Sequence, residues 1–232
     1  MIPLQITANL ARPIAVTDNL SPDITGIIEY SVRESTGRLD TNVTFETLTE
    51  IELPIKKHEL GFYQASSPHY LYSIESTDRY RKRWDYQSEH LDWGKKKAKF
   101  SGSDGQFKSY DLPLFLKLTE RIDWFVVGDK EQIKLALSTV THLGKKRSYG
   151  FAYVSEWSVK EIDYDWSFEK ERRVTRPIPL EMAQQLDLEV HDMMVVAWKT
   201  PSWMHQNQVL CYIPKDNVRQ IKEKPRLKTN AN

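Results

Sequence analysis

The sequence predicts an α+β fold assembled from two strand-helix-strand halves. In residues 3–55 an alternating apolar strand runs into an amphipathic helix and then into β-branched residues. Residues 119–159 read strand, helix, glycine-bounded basic loop, strand. Two such halves are what a ferredoxin-like fold requires. With 232 residues, the chain can bury a real core as one large domain or as one domain with a sizeable insertion. No tandem repeat, low-complexity run or interdomain linker interrupts it.

The elements follow in order. Leu4, Ile6, Ala8 and Leu10 alternate with Gln5, Thr7 and Asn9, the period-2 pattern of a strand with one buried face. Ser21-Pro22-Asp23 offers a polar helix start with proline in the first turn, ahead of Ile24, Ile27, Ile28 and Val32. That helix is expected to end near Ser35-Thr36-Gly37. Residues 42–55 suggest a hairpin leading to Pro54, and Tyr70 to Ile74 a short strand. Residues 79–108 have no clean period and read as an insertion or long excursion. Ile122 to Val127 is a buried strand closed by Gly128. Asp129 caps a helix, with Gln132 three positions on as in a capping box, and Ile133, Ala136, Leu137, Val140 and Leu143 form one apolar stripe that Gly144 ends. A strand follows from Phe151 to Val159. Beyond residue 160 the pattern weakens to a short helix over Glu181–Leu186, an apolar strand Met193–Trp198 and a basic C-terminus. The expected division is therefore a core of residues 1–78 and 109–160, an insertion 79–108 and an irregular extension 161–232.

Composition bounds the function. The lone Cys211 supplies neither a disulfide nor a cysteine zinc cluster, so a reduced, intracellular protein is expected. Lacking an 18-residue apolar run or the layout of a signal peptide, the chain is expected neither to span a membrane nor to be secreted. Its 33 Lys and Arg nearly balance 32 Asp and Glu, but by segment the charge is uneven. Residues 1–78 carry a net of −6, 79–108 of +5, 142–150 of +3, 151–171 of −4 and 172–232 of +4. Like-charge islands are solvated faces, mobile arms or polyanion sites, and three basic islands in one chain favour the last.

Cofactor and metal signatures are missing: no His-Glu-x-x-His, CxxC or GxGxxG occurs, and Gly150 is followed by Phe151 instead of the Lys-Ser/Thr pair of a P-loop. No cofactor and no metal site is expected. Among six scattered histidines, His142 stands out beside the basic loop. There an imidazole can serve as general base toward an RNA 2′-hydroxyl, or simply be a histidine favoured at a helix C-terminus.

The sharpest local signal is Gly144-Lys145-Lys146-Arg147-Ser148-Tyr149-Gly150. Terminal glycines permit positive φ and close backbone approach, three cations neutralise phosphates, and Tyr149 offers a stacking face. A plain basic helix-to-strand turn would look the same. The island 79–108 interleaves Tyr80, Trp84, Tyr86, Trp93, Phe100 and Phe107 with nine cations, among them Arg79, Arg81, Lys82, Arg83, Lys95, Lys96, Lys97 and Lys99. Single strands are held by this pairing of phosphates and stacking of bases. An exposed loop is the alternative.

Several stretches, taken in order, resemble one family. They are Pro3 to Val16, Leu143-Gly144-Lys145-Lys146-Arg147-Ser148-Tyr149-Gly150-Phe151-Ala152-Tyr153-Val154, Trp157, Arg176-Pro177-Ile178-Pro179, and Pro201-Ser202-Trp203 with Cys211-Tyr212-Ile213-Pro214. Together they are similar to the RAMP superfamily of CRISPR systems and, more narrowly, to the Cas-five-type subunit of type IV effector complexes. The likeness covers most of the chain and is weakest over residues 35–75 and the C-terminal end. It implies a ferredoxin-like, RRM-related core with a protruding thumb, for which 79–108 is the candidate. It also implies a cytoplasmic prokaryotic subunit that grips the 5′ handle of the CRISPR RNA through Gly144–Gly150. Its partners would be the repeating backbone subunit, the large subunit and, through the complex, target DNA. The sequence departs from the family pattern at Ala152, where many relatives carry a second glycine, so this end of the loop should be less pliable. Some Cas-five-type relatives cut repeat RNA without metal. If this chain does so, His142 or His58 would be the base, with Tyr149 or Lys146 stabilising the phosphorane and a 2′,3′-cyclic phosphate as product. An RRM-like RNA binder outside CRISPR is the third reading.

Overall fold

The computed structural model describes residues 1–16, 18, 20–37, 51–71, 73–83, 108–189, 192–202 and 204–215. The protein is a mixed α and β structure in which every pair of named strands is antiparallel, with three short α-helices among the described residues.

Strand β1 (Ile2–Leu10) realises the alternation of the sequence: Leu4, Ile6, Ala8 and Leu10 are buried, with half-buried polar neighbours between them. The two-residue β2 (Ile14–Ala15) follows. Helix α1 (Ile24–Ser35) starts at Asp23, whose carboxylate accepts from the Thr25 amide, and Gly37 takes a left-handed φ of 66° just beyond its end. The polar start and the glycine stop are as expected, but Pro22, expected in the first turn, lies one residue ahead of the cap. Part of the expected 42–55 hairpin, residues 42–50, lies outside the described residues. Residues 51–55 instead run along the sheet, where Ile55 bridges Gly128 and the Lys56 amide donates to the Val127 carbonyl.

Strand β3 (His69–Tyr70) is separate from β4 (Ile74–Lys82), so the expected strand from Tyr70 to Ile74 is divided between two elements. Lys82 is the last residue of β4, so residues 79–82 are regular strand. β5 (Tyr110–Leu118) pairs with the whole of β4, from Ile74 opposite Leu118 to Lys82 opposite Tyr110. The two form a ribbon through which the chain enters and leaves residues 84–107. β6 (Arg121–Gly128) has nearly every side chain buried, because both of its faces are covered.

Helix α2 (Lys130–Leu137) begins at Asp129, whose Oδ1 accepts from the amides of Glu131 and Gln132. The Asp129 amide donates to the Pro54 carbonyl, which fills the place the Gln132 side chain takes in a complete capping box. The helix stops at Leu137, short of the expected Leu143. Val140 and Leu143 still pack on the core, but from irregular chain beyond the helix end. The Ser31 hydroxyl donates to the Ala136 carbonyl at 2.5 Å, while the Val140 amide turns to Leu137. Ala136 would have been the α-helical acceptor for Val140, so a hydroxyl from α1 has taken its place.

The remaining elements are β7 (Val154–Glu161), the small pair β8 (Glu169–Lys170) and β9 (Arg173–Val174), β10 (Ile178–Pro179), α3 (Leu180–Gln185), β11 (Asp192–Ala197) and β12 (Gln208–Ile213). The main sheet has the order β3-β6-β1-β7; β2-β5-β4 and β10-β12-β11 form two further sheets. The core lies between one face of the main sheet, including Leu4, Ile6, Ile122, Trp124 and Val126, and the apolar stripes of α1 and α2, including Ile24, Ile28, Ile133 and Leu137. On the opposite face Phe125 packs against Trp166 and Tyr164. Asp123 also lies there, held by the Thr7 hydroxyl at 2.7 Å and by Arg121 at 2.7 Å. Burial raises the Asp123 carboxyl, and the Arg121 and Thr7 hydrogen bonds outweigh it, leaving the group below its ordinary range.

Arg176 joins the C-terminal residues to this body. Its guanidinium donates to the carbonyls of Tyr63, Ala65 and Trp198. Burial lowers its pKa to about 10. Cys211 is buried between β11 and β10, and burial pushes its thiol up to about 11. No helix of the described residues is long and apolar enough to cross a membrane.

Candidate nucleic-acid interface

The glycine-bounded loop is built onto β2. Gly144 has φ 67°, and a β-carbon there would lie 2.5 Å from the Ala15 carbonyl oxygen and 3.0 Å from Ile14 Cγ1. Glycine is required on both counts, conformation and space. Next to it the Lys145 amide donates to Ala15, and the Ala152 amide donates to Pro13. Between these anchors Lys146 takes φ 57°, Arg147 to Tyr149 form one 3-10 turn, and Gly150 takes φ 79°. Ala152 holds φ 48° with its side chain fully buried, the conformation that glycine reaches without strain. Since β2 also pairs with β5, the loop is tied through β2 to the ribbon.

The two islands meet at this point. Tyr80 of β4 stacks on Tyr110 of β5 with ring centroids 5.2 Å apart, and meets Tyr149 edge-on at 5.1 Å. The Tyr80 and Tyr149 hydroxyls are 2.7 Å apart, and the Tyr110 hydroxyl donates to that of Tyr80 at 3.1 Å. The hydrogen bond with Tyr80 raises the Tyr149 phenol above its ordinary pKa. Lys146 places its ammonium 3.4 Å from the centroid of Tyr80, within the range of a cation-π contact. Arg147 lies 5.2 Å over Tyr30 of α1. Lys145, Arg147 and Ser148 are exposed, and Tyr149 keeps 58% of its surface open. Arg12 stands by the end of the loop, its Nη1 3.5 Å from where a Gly150 β-carbon would be.

Strand alternation divides the cations of the ribbon. Tyr80 and Lys82 share the face that carries Leu114 and Leu116 inward against Ala15 and Phe151. Arg79 and Arg81 are on the other face, where both engage Asp111, at 2.8 Å and 3.3 Å. These two arginines are not part of the loop surface. Arg83 is exposed at the end of the ribbon. Trp84, Lys95, Lys96, Lys97 and Lys99 lie outside the described residues.

His142 is not at a helix end: it bridges Tyr153 in extended chain, with Nδ1 2.9 Å from the Thr141 hydroxyl. With Lys145, Arg147 and Tyr30 it lines a groove of about 360 Å³. His58 belongs to a different cluster, stacked on Phe62 at 4.6 Å and edge-on to Phe168, its Nδ1 accepting from the Leu60 amide. Among the described residues no group of three His, Cys, Asp or Glu could hold a metal ion.

Tyr110, Tyr30 and Arg12 are the residues of this surface to which the sequence reading assigns no role. For Tyr110 a signal exists, the alternation Tyr110, Leu112, Leu114, Leu116, Leu118 that marks β5 as a strand with one apolar face. Nothing local singles out Tyr30, which is one more residue on the surface of a helix until Arg147 is placed over it.

Compared with known proteins, residues 2–214 match a family model described as CRISPR type IV associated protein Csf3. No curated protein matches the chain.

Proposed function

The chain belongs to the Csf3 family of CRISPR type IV associated proteins, and from that premise we propose that it is a non-catalytic RNA-binding subunit of a cytoplasmic type IV effector complex. It caps the 5′ handle of the CRISPR RNA and, with the backbone and large subunits, supports guide-directed binding of target DNA. The observation that carries the reading is the meeting of loop and ribbon: an exposed tyrosine and exposed cations are presented together at the root of the insertion. Phosphates pair with the cations, and a base stacks on the open Tyr149 ring. The ferredoxin-like reading of the core draws support from the strand order β3-β6-β1-β7, with α1 following the first of these strands in the chain and α2 the third. Residues 79–108, carried on the ribbon, are the thumb in this reading, and 161–232 the extension.

A salt titration tests it. For single strands the slope of log affinity against log salt is about 0.7 per neutralised phosphate. Lys145→Ala/Arg147→Ala is therefore expected to bind handle RNA more weakly and to lower the slope by about 1.4. Unchanged affinity and slope would remove the loop from the site. The position of His142 in the groove with Lys145 and Arg147 favours a second reading, metal-independent cleavage of repeat RNA. The same RNA incubated in EDTA separates the two: bound and intact for the structural subunit, cut by the wild type and spared by His142→Ala for the nuclease.

A further inference from the structure

We infer that Lys146 is a positioning residue: with Tyr80, Tyr110 and Tyr149 it forms a latch that fixes the β4–β5 ribbon on the glycine-bounded loop, and it pairs with no phosphate of its own. In its consequence for binding, the inference rests on the RNA-binding reading above.

Three successive cations are equivalent in sequence, and the fold separates them. Lys145 is exposed, its amide held by Ala15. Arg147 is exposed, with its guanidinium along the Tyr30 ring. Lys146 is half-buried, because its left-handed backbone turns the side chain toward the ribbon. Its ammonium sits 3.4 Å over Tyr80 and 5.9 Å from the centroid of Tyr149. The negative ring faces supply the interaction that a phosphate oxygen would otherwise provide.

The three tyrosines complete the latch through contacts between different chain segments. Residues 80 and 110 are diagonal neighbours on one face of the ribbon, Tyr80 standing opposite Leu112 and Tyr110 opposite Lys82, and residue 149 comes from the loop. Their hydroxyls form a chain from Tyr110 to Tyr80 to Tyr149. Among the described residues, β4 is exposed along most of its length, so the contacts of Tyr80 are the packing that holds the ribbon to the loop at this end. Leu114 and Leu116 secure its middle. Ribbon and loop thus move as one body, and a nucleotide stacked on Tyr149 is held at a set position relative to the Lys82–Tyr110 end of the ribbon.

Two measurements on the full-length protein test the latch. In the absence of RNA, amide hydrogen exchange at Tyr80–Lys82 and Tyr110–Leu112 is expected to quicken several-fold in Lys146→Met and to stay near wild type in Lys145→Met. Lys146→Arg, which keeps a cation over the ring, should restore protection. With handle RNA, Lys146→Met should weaken binding several-fold at an unchanged salt slope, whereas Lys145→Met should lower the slope by about 0.7. A slope loss in Lys146→Met equal to that of Lys145→Met would overturn the inference, as would unchanged exchange. Failure of the wild type to bind RNA would instead overturn the function proposed above and leave the exchange measurement to decide the latch.

Discussion

Gly144→Ala is expected to destabilise the protein by about 2–4 kcal/mol and to abolish loop-dependent RNA binding. Two costs combine. A non-glycine residue held at φ 67° gives up about 1–2 kcal/mol. The new β-carbon would also stand 2.5 Å from the Ala15 carbonyl oxygen, which is backbone within β2 and cannot swing aside as a side-chain tip would. The loop must shift off β2, breaking the Lys145-to-Ala15 hydrogen bond and displacing Lys146 and Tyr149 from the ribbon. Gly37→Ala is the matched control: its φ is 66°, but among the described residues no atom lies within 4 Å of its β-carbon, so it should cost only the conformational share, about 1–2 kcal/mol. Chemical denaturation of the two variants measures the difference. Equal costs would mean that the close approach to Ala15 is without energetic weight.

Trp124→Ala is expected to cost about 4–5 kcal/mol, the largest single effect in the core. Trp124 is fully buried on β6, and its indole nitrogen donates to the Pro22 carbonyl at 3.0 Å. Truncation opens a cavity facing α1 and α2, for which aromatic-to-alanine changes cost about 3–5 kcal/mol. It also strands a carbonyl one residue before the Asp23 cap of α1, which adds to the loss. A domain's whole stability is about 5–15 kcal/mol, so the variant should unfold at much lower denaturant. Trp124→Phe keeps most of the volume and isolates the hydrogen bond, at about 1–3 kcal/mol. A cost below about 1 kcal/mol for alanine would mean that this core is not the one that holds the sheet to the helices.

What was legible in the sequence is what local physics decides. The alternation of β1, the Asp23 and Asp129 caps, and the positive φ of Gly144 and Gly150 each follow from a handful of neighbouring residues. The end of α2 did not, because the Ser31 hydroxyl that takes the Ala136 carbonyl comes from another helix. The apolar spacing of Val140 and Leu143 therefore imitates a helical stripe from residues that are buried without being helical. The ribbon was illegible for the opposite reason. β4 buries neither face along most of its length, so its side chains carry no period to read, although its partner β5 does. The loop and the island were each visible as basic and aromatic, but the contacts of Tyr80, Tyr110, Tyr149 and Lys146 are tertiary, and so is the turning of Arg79 and Arg81 to the other face.

The central claim, that this subunit holds CRISPR RNA at the loop, is tested most directly by sequencing the RNA that co-purifies with the protein from cells carrying its own CRISPR system. Repeat-derived RNA sharing a common 5′ end is expected, strongly depleted when Lys145 and Arg147 are both replaced by alanine. Recovery of no RNA, of RNA without repeat sequence, or of the same RNA in undiminished amount with the double variant would contradict it.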